Sequence, residues 1–163
     1  MGIFRGVIAG LVGGLIGAGA MSVVHKGLVE IVASARQPAP GDRQQQDEDA
    51  TVKVADGIMR RLLRRPLPED RKPLAGHVVH YAFGGTVGAL YGGVASVAPQ
   101  VTAALGLPFG VAVWLGAHVI VVPALGLAAP ITRQPPAEAL ELLLHLVYGA
   151  VTEIVRRSVR RAL

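Results

Sequence analysis

The stretch IFRGVIAGLVGGLIGAGAMSVV, residues 3–24, decides the fold class. Arg5 is its one charge, and at ~1.5 Å per residue it is long enough to cross the ~30 Å hydrocarbon layer as a helix. Working outward, three more apolar runs follow at Gly76–Val97, Leu105–Leu127 and Ala139–Val155. Between the first and second lies the one long polar region, residues 36–73. With 52% hydrophobic residues, 17% charged residues and a mean hydropathy of +0.48, the chain is too apolar for an ordinary soluble domain carrying four such runs. The expectation is a single all-α membrane domain over residues 1–163. It is a polytopic four-transmembrane-helix bundle with one amphipathic interfacial helix in the first loop, and the lipid bilayer is its first partner.

The charge pattern agrees. Sixteen Lys and Arg give a formal charge of +5, but they gather in the first loop and the C-terminal tail rather than along one folded face. Flanking cations are what membrane topology requires, so nucleic acid is not an expected partner. The absence of Cys removes disulfides, thiolate metal sites and a thiol nucleophile. No Ser/His/Asp arrangement, phosphate loop or dinucleotide fingerprint is present, so the expectation is a non-enzymatic protein. Ala33-Ser34-Ala35 resembles a signal-cleavage site, yet the apolar run is too long and His25, Lys26 and Glu30 intervene, so the segment reads as a retained first span. Gly6 stands where the N-myristoylation pattern needs Ser or Thr.

Within the first run, Gly6, Gly10, Gly13 and Gly17 form a continuous small-residue stripe. Such a stripe lets a neighbouring backbone approach closely. It reads either as packing against the other three helices or as the seam of a homo-oligomer. At its far end Lys26 and Glu30 are spaced to pair on a helix.

In the polar region, residues 37–49 hold Pro38, Pro40, three consecutive Gln and an acidic run, the composition of a loose turn. Beyond it Val52, Ala55, Ile58, Met59, Leu62 and Leu63 recur at helical spacing opposite Lys53, Asp56, Arg60, Arg61, Arg64 and Arg65. That is an amphipathic helix suited to the headgroup layer, with Arg60, Arg61, Arg64 and Arg65 as headgroup contacts. The alternative is a helix packed over the mouth of the bundle. Four spans place both termini and residues 98–104 on one side and the long loop on the other; both sides carry cations, so charge alone does not choose the orientation.

Ionisable groups inside apolar runs are costly and mark candidate sites. Glu138, Glu141, His145, Tyr148 and Thr152 share one face of the fourth run, and His77, His80 and Tyr81 make a comparable face on the second. The third contributes Trp114 and His118, with Pro123 expected to kink the helix beyond it. From the helical rise, His118 and His145 lie ~12–14 Å below the long-loop surface, with Glu141 and His80 shallower and His25, His77 and Glu138 near the rim. The expected site is a polar funnel of His77, His80, Tyr81, His118, Glu138, Glu141, His145 and Tyr148 opening toward the long loop. Such a funnel fits a proton response, since a His pKa lies near neutrality. It also fits a divalent metal on His77, His80, His118, Glu141 and His145, because imidazole with carboxylate suits Zn, Fe or Mn. The plain alternative is hydrogen bonding that fixes helix register. One Trp, three Tyr and three Phe offer little to pack a haem, and the pattern names no cofactor.

The later part of the chain resembles the YagU-like family of small bacterial inner-membrane proteins, a domain of unknown function. The carrying residues are Gly76-His77, His80-Tyr81-Ala82-Phe83-Gly84, Gly88-Ala89-Leu90-Tyr91-Gly92, Pro123-Ala124-Leu125-Gly126-Leu127 and His145-Leu146-Val147-Tyr148-Gly149, with Glu153, Arg156 and Arg157. The resemblance implies a multi-pass inner-membrane protein with cytoplasmic termini, which puts the funnel mouth in the periplasm. The functional expectation is a protein whose buried His/Glu cluster responds to protons, in acid or envelope stress. The alternatives are a scaffold self-associating through the first-helix glycines and a metal-binding membrane protein.

Overall fold

A computed structural model describes residues 2–35, 50–117 and 135–163; the side chains of residues 32–35, 50 and 135–138 lie outside that description. Among the described residues the α-helices are α1 (Gly2–Ala35), α2 (Ala50–Leu63), α3 (Lys72–Val97), α4 (Leu107–Trp114) and α5 (Pro135–Ala162). Short 3-10 segments at Glu69–Arg71 and Pro99–Gly106 lead into α3 and α4. No strand occurs among the described residues. Two stretches, Gly2–Ile31 and Pro99–Ala117, are long and apolar enough to cross a membrane.

Glycine sets how closely α1 and α3 approach. A Cβ on Gly6 would strike Gly92 and Ser96, one on Gly10 would strike Gly88 and Gly92, and one on Gly14 would strike Gly84 and Gly88. Rising numbers on α1 meet falling numbers on α3, so the two helices run antiparallel with backbones in contact. Gly13 and Gly17 turn to α5, where they meet the backbone of Thr152 and Tyr148. The stripe therefore serves two neighbours: Gly6, Gly10 and Gly14 face α3, while Gly13 and Gly17 face α5.

The helix α5 is gripped from its other side by α4. Gly106 and Gly110 sit against the carbonyls of Gly149 and His145, and Gly149 reciprocates against Gly106 and Gly110. Reaching this seat requires a tight reversal: Ala104, Leu105 and Gly106 have φ of 47°, 56° and 79°. Glycine takes that conformation freely, but Ala104 and Leu105 each give up roughly 1–2 kcal/mol to adopt it. The expected third span, Leu105–Leu127, thus begins on the reversal itself rather than on a regular helix. Pro123 and its expected kink lie outside the described residues.

The helix α2 docks on the start of α3. Val52, Ala55 and Leu67 are buried, and Gly76 leaves room for the Val52 side chain. Val54 and Met59 are half-buried, and Ile58, Leu62 and Leu63 are exposed beside Arg61, Arg64 and Arg65. At its C-terminal end, Asp56 Oδ1 accepts the Leu67 N–H at 2.7 Å and Oδ2 accepts Arg60 Nε at 2.6 Å. The Arg60 bond first, then the Leu67 N–H, hold the Asp56 carboxyl below its usual range.

Burial runs inside out. Many of the buried side chains are small, polar or charged, among them Ala9, Ala18, Ala95, Thr152, Glu153 and Arg156, beside a few larger ones such as Leu144, Tyr91 and Tyr148. Most of the large apolar side chains of α1 and α3 point outward or are only half-buried, with Phe4 71% exposed, Val23 72% and Leu90 65%. The apolar cluster that is buried is small: Ala18, Val113 and Tyr148, flanked by Met21, Val87 and Phe109.

Candidate functional site

In the half of the bundle nearest the chain termini, Glu153 is 0% exposed. The α4–α5 contact places it: Gly106 sits against the Glu153 Cβ, so the glycine's missing side chain is what lets the acid in. A carboxylate with no water survives only if its lone pairs are filled and its charge is balanced. Both conditions are met from three residues on two helices. Arg156 forks onto it, with Nε donating to Oε2 at 2.7 Å and Nη2 to Oε1 at 2.9 Å. Arg157 Nε donates to Oε1 at 2.5 Å, and Tyr91 of α3 donates its hydroxyl to Oε2 at 2.9 Å.

A second layer holds these groups. The Tyr91 ring stacks on Phe109 of α4 at 4.0 Å between centroids, and the Arg156 guanidinium lies 5.9 Å from the centre of the Tyr91 ring. That is within cation–π range. Phe109 in turn meets Tyr148, whose hydroxyl donates to the Gly84 carbonyl at 2.7 Å and so ties α5 to α3. Arg157 Nη2 reaches the Thr102 carbonyl at 3.1 Å in the connection before α4. One atom of the buried set, Arg156 Nη1, has no hydrogen-bond partner among the described residues. Chemically the cluster is one anion against two cations: a buried charge centre with cationic excess.

A family model described as Protein of unknown function (DUF1440) matches residues 65–154. The chain belongs to this family. The DUF1440 match takes in Tyr91, Thr102, Phe109, Tyr148 and Glu153 and ends just before Arg156. No curated protein and no solved structure matches the chain.

The DUF1440 stretch also carries the expected funnel, and the structure distributes those residues. His77 and Tyr81 are exposed, the latter with its ring edge-on to His80 at 5.6 Å. His80 is half-buried, and its Nε2–H donates to the Ala18 carbonyl of α1 at 3.2 Å. His145 is 6% exposed, and its Nδ1–H donates to the Glu141 carbonyl of its own helix at 2.7 Å. Glu141 is half-buried. His118 and the Glu138 side chain lie outside the described residues. Among the described residues no three His, Asp or Glu side chains gather to hold a metal ion. Arg60, Arg61, Arg64 and Arg65 are exposed on and just beyond α2, with Arg60 paired to Asp56.

Sequence reasoning passed over Glu153 as a site. The signal was present in the spacing: Glu153, Arg156 and Arg157 stand at i, i+3 and i+4, with the acid N-terminal to the bases, the favourable order on a helix. Only the fold shows that Tyr91, more than sixty residues away, closes the fourth side.

Proposed function

We propose that the chain is a non-enzymatic integral membrane protein of four spans, a YagU-like protein of a bacterial inner membrane, with its termini in the cytoplasm. The observation that carries this reading is the inverted burial. Many large apolar side chains face outward along α1 and α3, and Leu143 and Ile154 do so on α5, while glycine, alanine and paired polar groups make up much of the interior beside Leu144, Tyr91 and Tyr148. Water would penalise such a surface heavily, whereas hydrocarbon favours it and leaves close packing and hydrogen bonds to hold the helices. Only 33% of the apolar window of α1 lies buried, too little for the central helix of a soluble domain. The helices α3 and α5 have 26 and 28 residues, enough to cross, although glycines, histidines and the buried ion cluster lower their mean hydropathy.

The interior polar groups carry the role in this reading, and His145 is its proton-responsive member. It is a buried imidazole in the fourth span, and an imidazole is the side chain whose charge changes near neutral pH. Self-association through the α1 glycines is the weaker alternative, because α3 and α5 already occupy that face. The metal reading has no three-ligand group among the described residues to support it.

Because the chain has no Cys, single cysteines test the topology cleanly. Gln45→Cys, Gln100→Cys, Gln134→Cys and Ser158→Cys are each probed with a membrane-impermeant maleimide on intact and opened cells. Four spans predict that Gln45 and Gln134 label from one side and Gln100 and Ser158 from the other. Gln45 and Gln100 labelling from the same side would overturn the reading.

A further inference from the structure

We propose that the terminal end of the bundle holds a phosphate group, and that its bearer is an anionic phospholipid of the leaflet on that side. The inference deepens the four-span reading and rests on it for the lipid as source. The argument starts from charge. By the helix register, this end collects the first half of α1, the second half of α3, the Pro99–Gly106 connection and the last turns of α5. Those segments carry Arg5, Arg156, Arg157, Arg160 and Arg161 against Glu153 as their one acidic residue. Glu153 neutralises one cation and leaves the rest without an acidic counterpart at this end.

The excess is organised along one face. Arg156, Arg157 and Arg160 follow Glu153 at helical spacing, stepping outward by ~1.5 Å per residue from the buried carboxylate toward the bundle end. All three reach toward the end of α3 and the connection after it. Arg156 lies over Tyr91, Arg160 Nη1 is 3.5 Å from Ser96 Oγ, and Arg157 Nη2 donates to the Thr102 carbonyl. At the inner end of this ladder Arg156, 5% exposed, keeps Nη1 without a hydrogen-bond partner among the described residues. A buried guanidinium donor left open costs free energy, and a multivalent oxyanion acceptor removes that cost. Planar arginine forks suit phosphate oxygens better than they suit halide or carboxylate monodentate contacts. In the membrane setting a basic pocket between helices on the cytoplasmic side is where acidic headgroups are held.

The test is a thermal-unfolding titration of the full chain in neutral detergent. Its probes are short-chain phosphatidylglycerol, the matching phosphatidylcholine and inorganic phosphate. The expected result is a concentration-dependent rise in Tm with phosphatidylglycerol and none with phosphatidylcholine. Arg160→Gln is expected to weaken the apparent affinity about tenfold, the loss of one charge-assisted hydrogen bond. Arg160 is exposed at the helix end, so this variant leaves the Glu153 pairs in place. A control, Arg61→Gln with Arg64→Gln on and beside α2, is expected to bind as the parent does. A Tm rise with inorganic phosphate equal to that with phosphatidylglycerol keeps the phosphate site and makes its bearer a soluble anion. No rise with either probe, or a rise unchanged in Arg160→Gln, overturns the proposal. Since the titration needs no bilayer, its failure is separable from failure of the four-span reading, which the cysteine labelling decides.

Discussion

The two ends of the bundle handle polar groups in opposite ways. Toward the long loop, histidines and tyrosines are spread out: His77 and Tyr81 face outward, His80 bonds to one carbonyl of α1, and His145 bonds within its own helix. Toward the termini, the polar groups converge on one carboxylate, Glu153, held from α3 and α5 and braced by α4. The first arrangement is dispersed, since His80 and His145 bond to separate backbone carbonyls. The second is charged and interdependent, since removing any member leaves another buried charge or donor exposed to apolar surroundings. The abundance of ionisable residues therefore marks one end, while the convergence of a few marks the other. Convergence is the stronger indicator of a built site.

The comparison can be broken from its strongest side first. Glu153→Leu strands Arg156 and Tyr91 together, and unfolding in detergent should show a loss of about 3–5 kcal/mol, the cost of an uncompensated buried charge. His80→Leu, which removes one hydrogen bond between helices, should cost about 0.5–2 kcal/mol by the same measurement. Equal losses would erase the distinction between the two ends.

Gly10→Leu comes next. The added side chain meets the backbone of α3 at Gly88 and Gly92, where nothing can rotate away. Overpacking of this kind costs at least about 1–3 kcal/mol, read as a lower yield of folded monomer in size-exclusion chromatography. A folded monomer at parental yield would mean that α1 does not contact α3 through this face. Tyr91→Phe should cost less, about 0.5–1.5 kcal/mol, because it deletes one hydrogen bond to Glu153 and keeps the stack on Phe109.

The smallest effect belongs to α2. The carboxyl of Asp56 is held below its ordinary range by Arg60 and Leu67, so its folded-state pKa lies under the unfolded one. The stabilisation it contributes is therefore fully present above about pH 4 and fades as pH falls through the folded value. Proteolysis of the segment 50–67 should accelerate only in strongly acidic buffer, and Asp56→Asn should proteolyse at neutral pH as the parent does in acid. A parent whose cleavage rate is flat down to pH 2 would contradict the role given to this carboxylate.

How much of this was legible in the sequence depends on whether local spacing or distant contact carried the information. The helices at 2–35, 50–63, 72–97 and 135–162 follow from apolar runs and 3.6-residue periodicity, and the glycine spacing on α1 showed that something packs there. That one stripe splits between α3 and α5 was not readable, because neighbouring positions on a helix face diverge by a fraction of a turn that only the partners define. The reversal at Ala104-Leu105-Gly106 was also hidden: Ala and Leu carry no turn signal, and their left-handed backbone is imposed by the seat of Gly106 on α5. For the site, the titratable residues visible inside apolar runs are chiefly histidines, which point to the other end of the bundle. The decisive pair, Tyr91 with Glu153, joins two helices across most of the DUF1440 match, and no spacing rule spans that distance.

The most direct test of the central claim is a double-mutant cycle on Glu153→Gln and Arg156→Gln, read by unfolding free energy in detergent. If the two form the buried forked pair described, the double variant loses far less than the sum of the single losses, with a coupling of about 2 kcal/mol or more. Losses that add to within about 0.5 kcal/mol would show that the two residues act independently, and the charge centre would not exist.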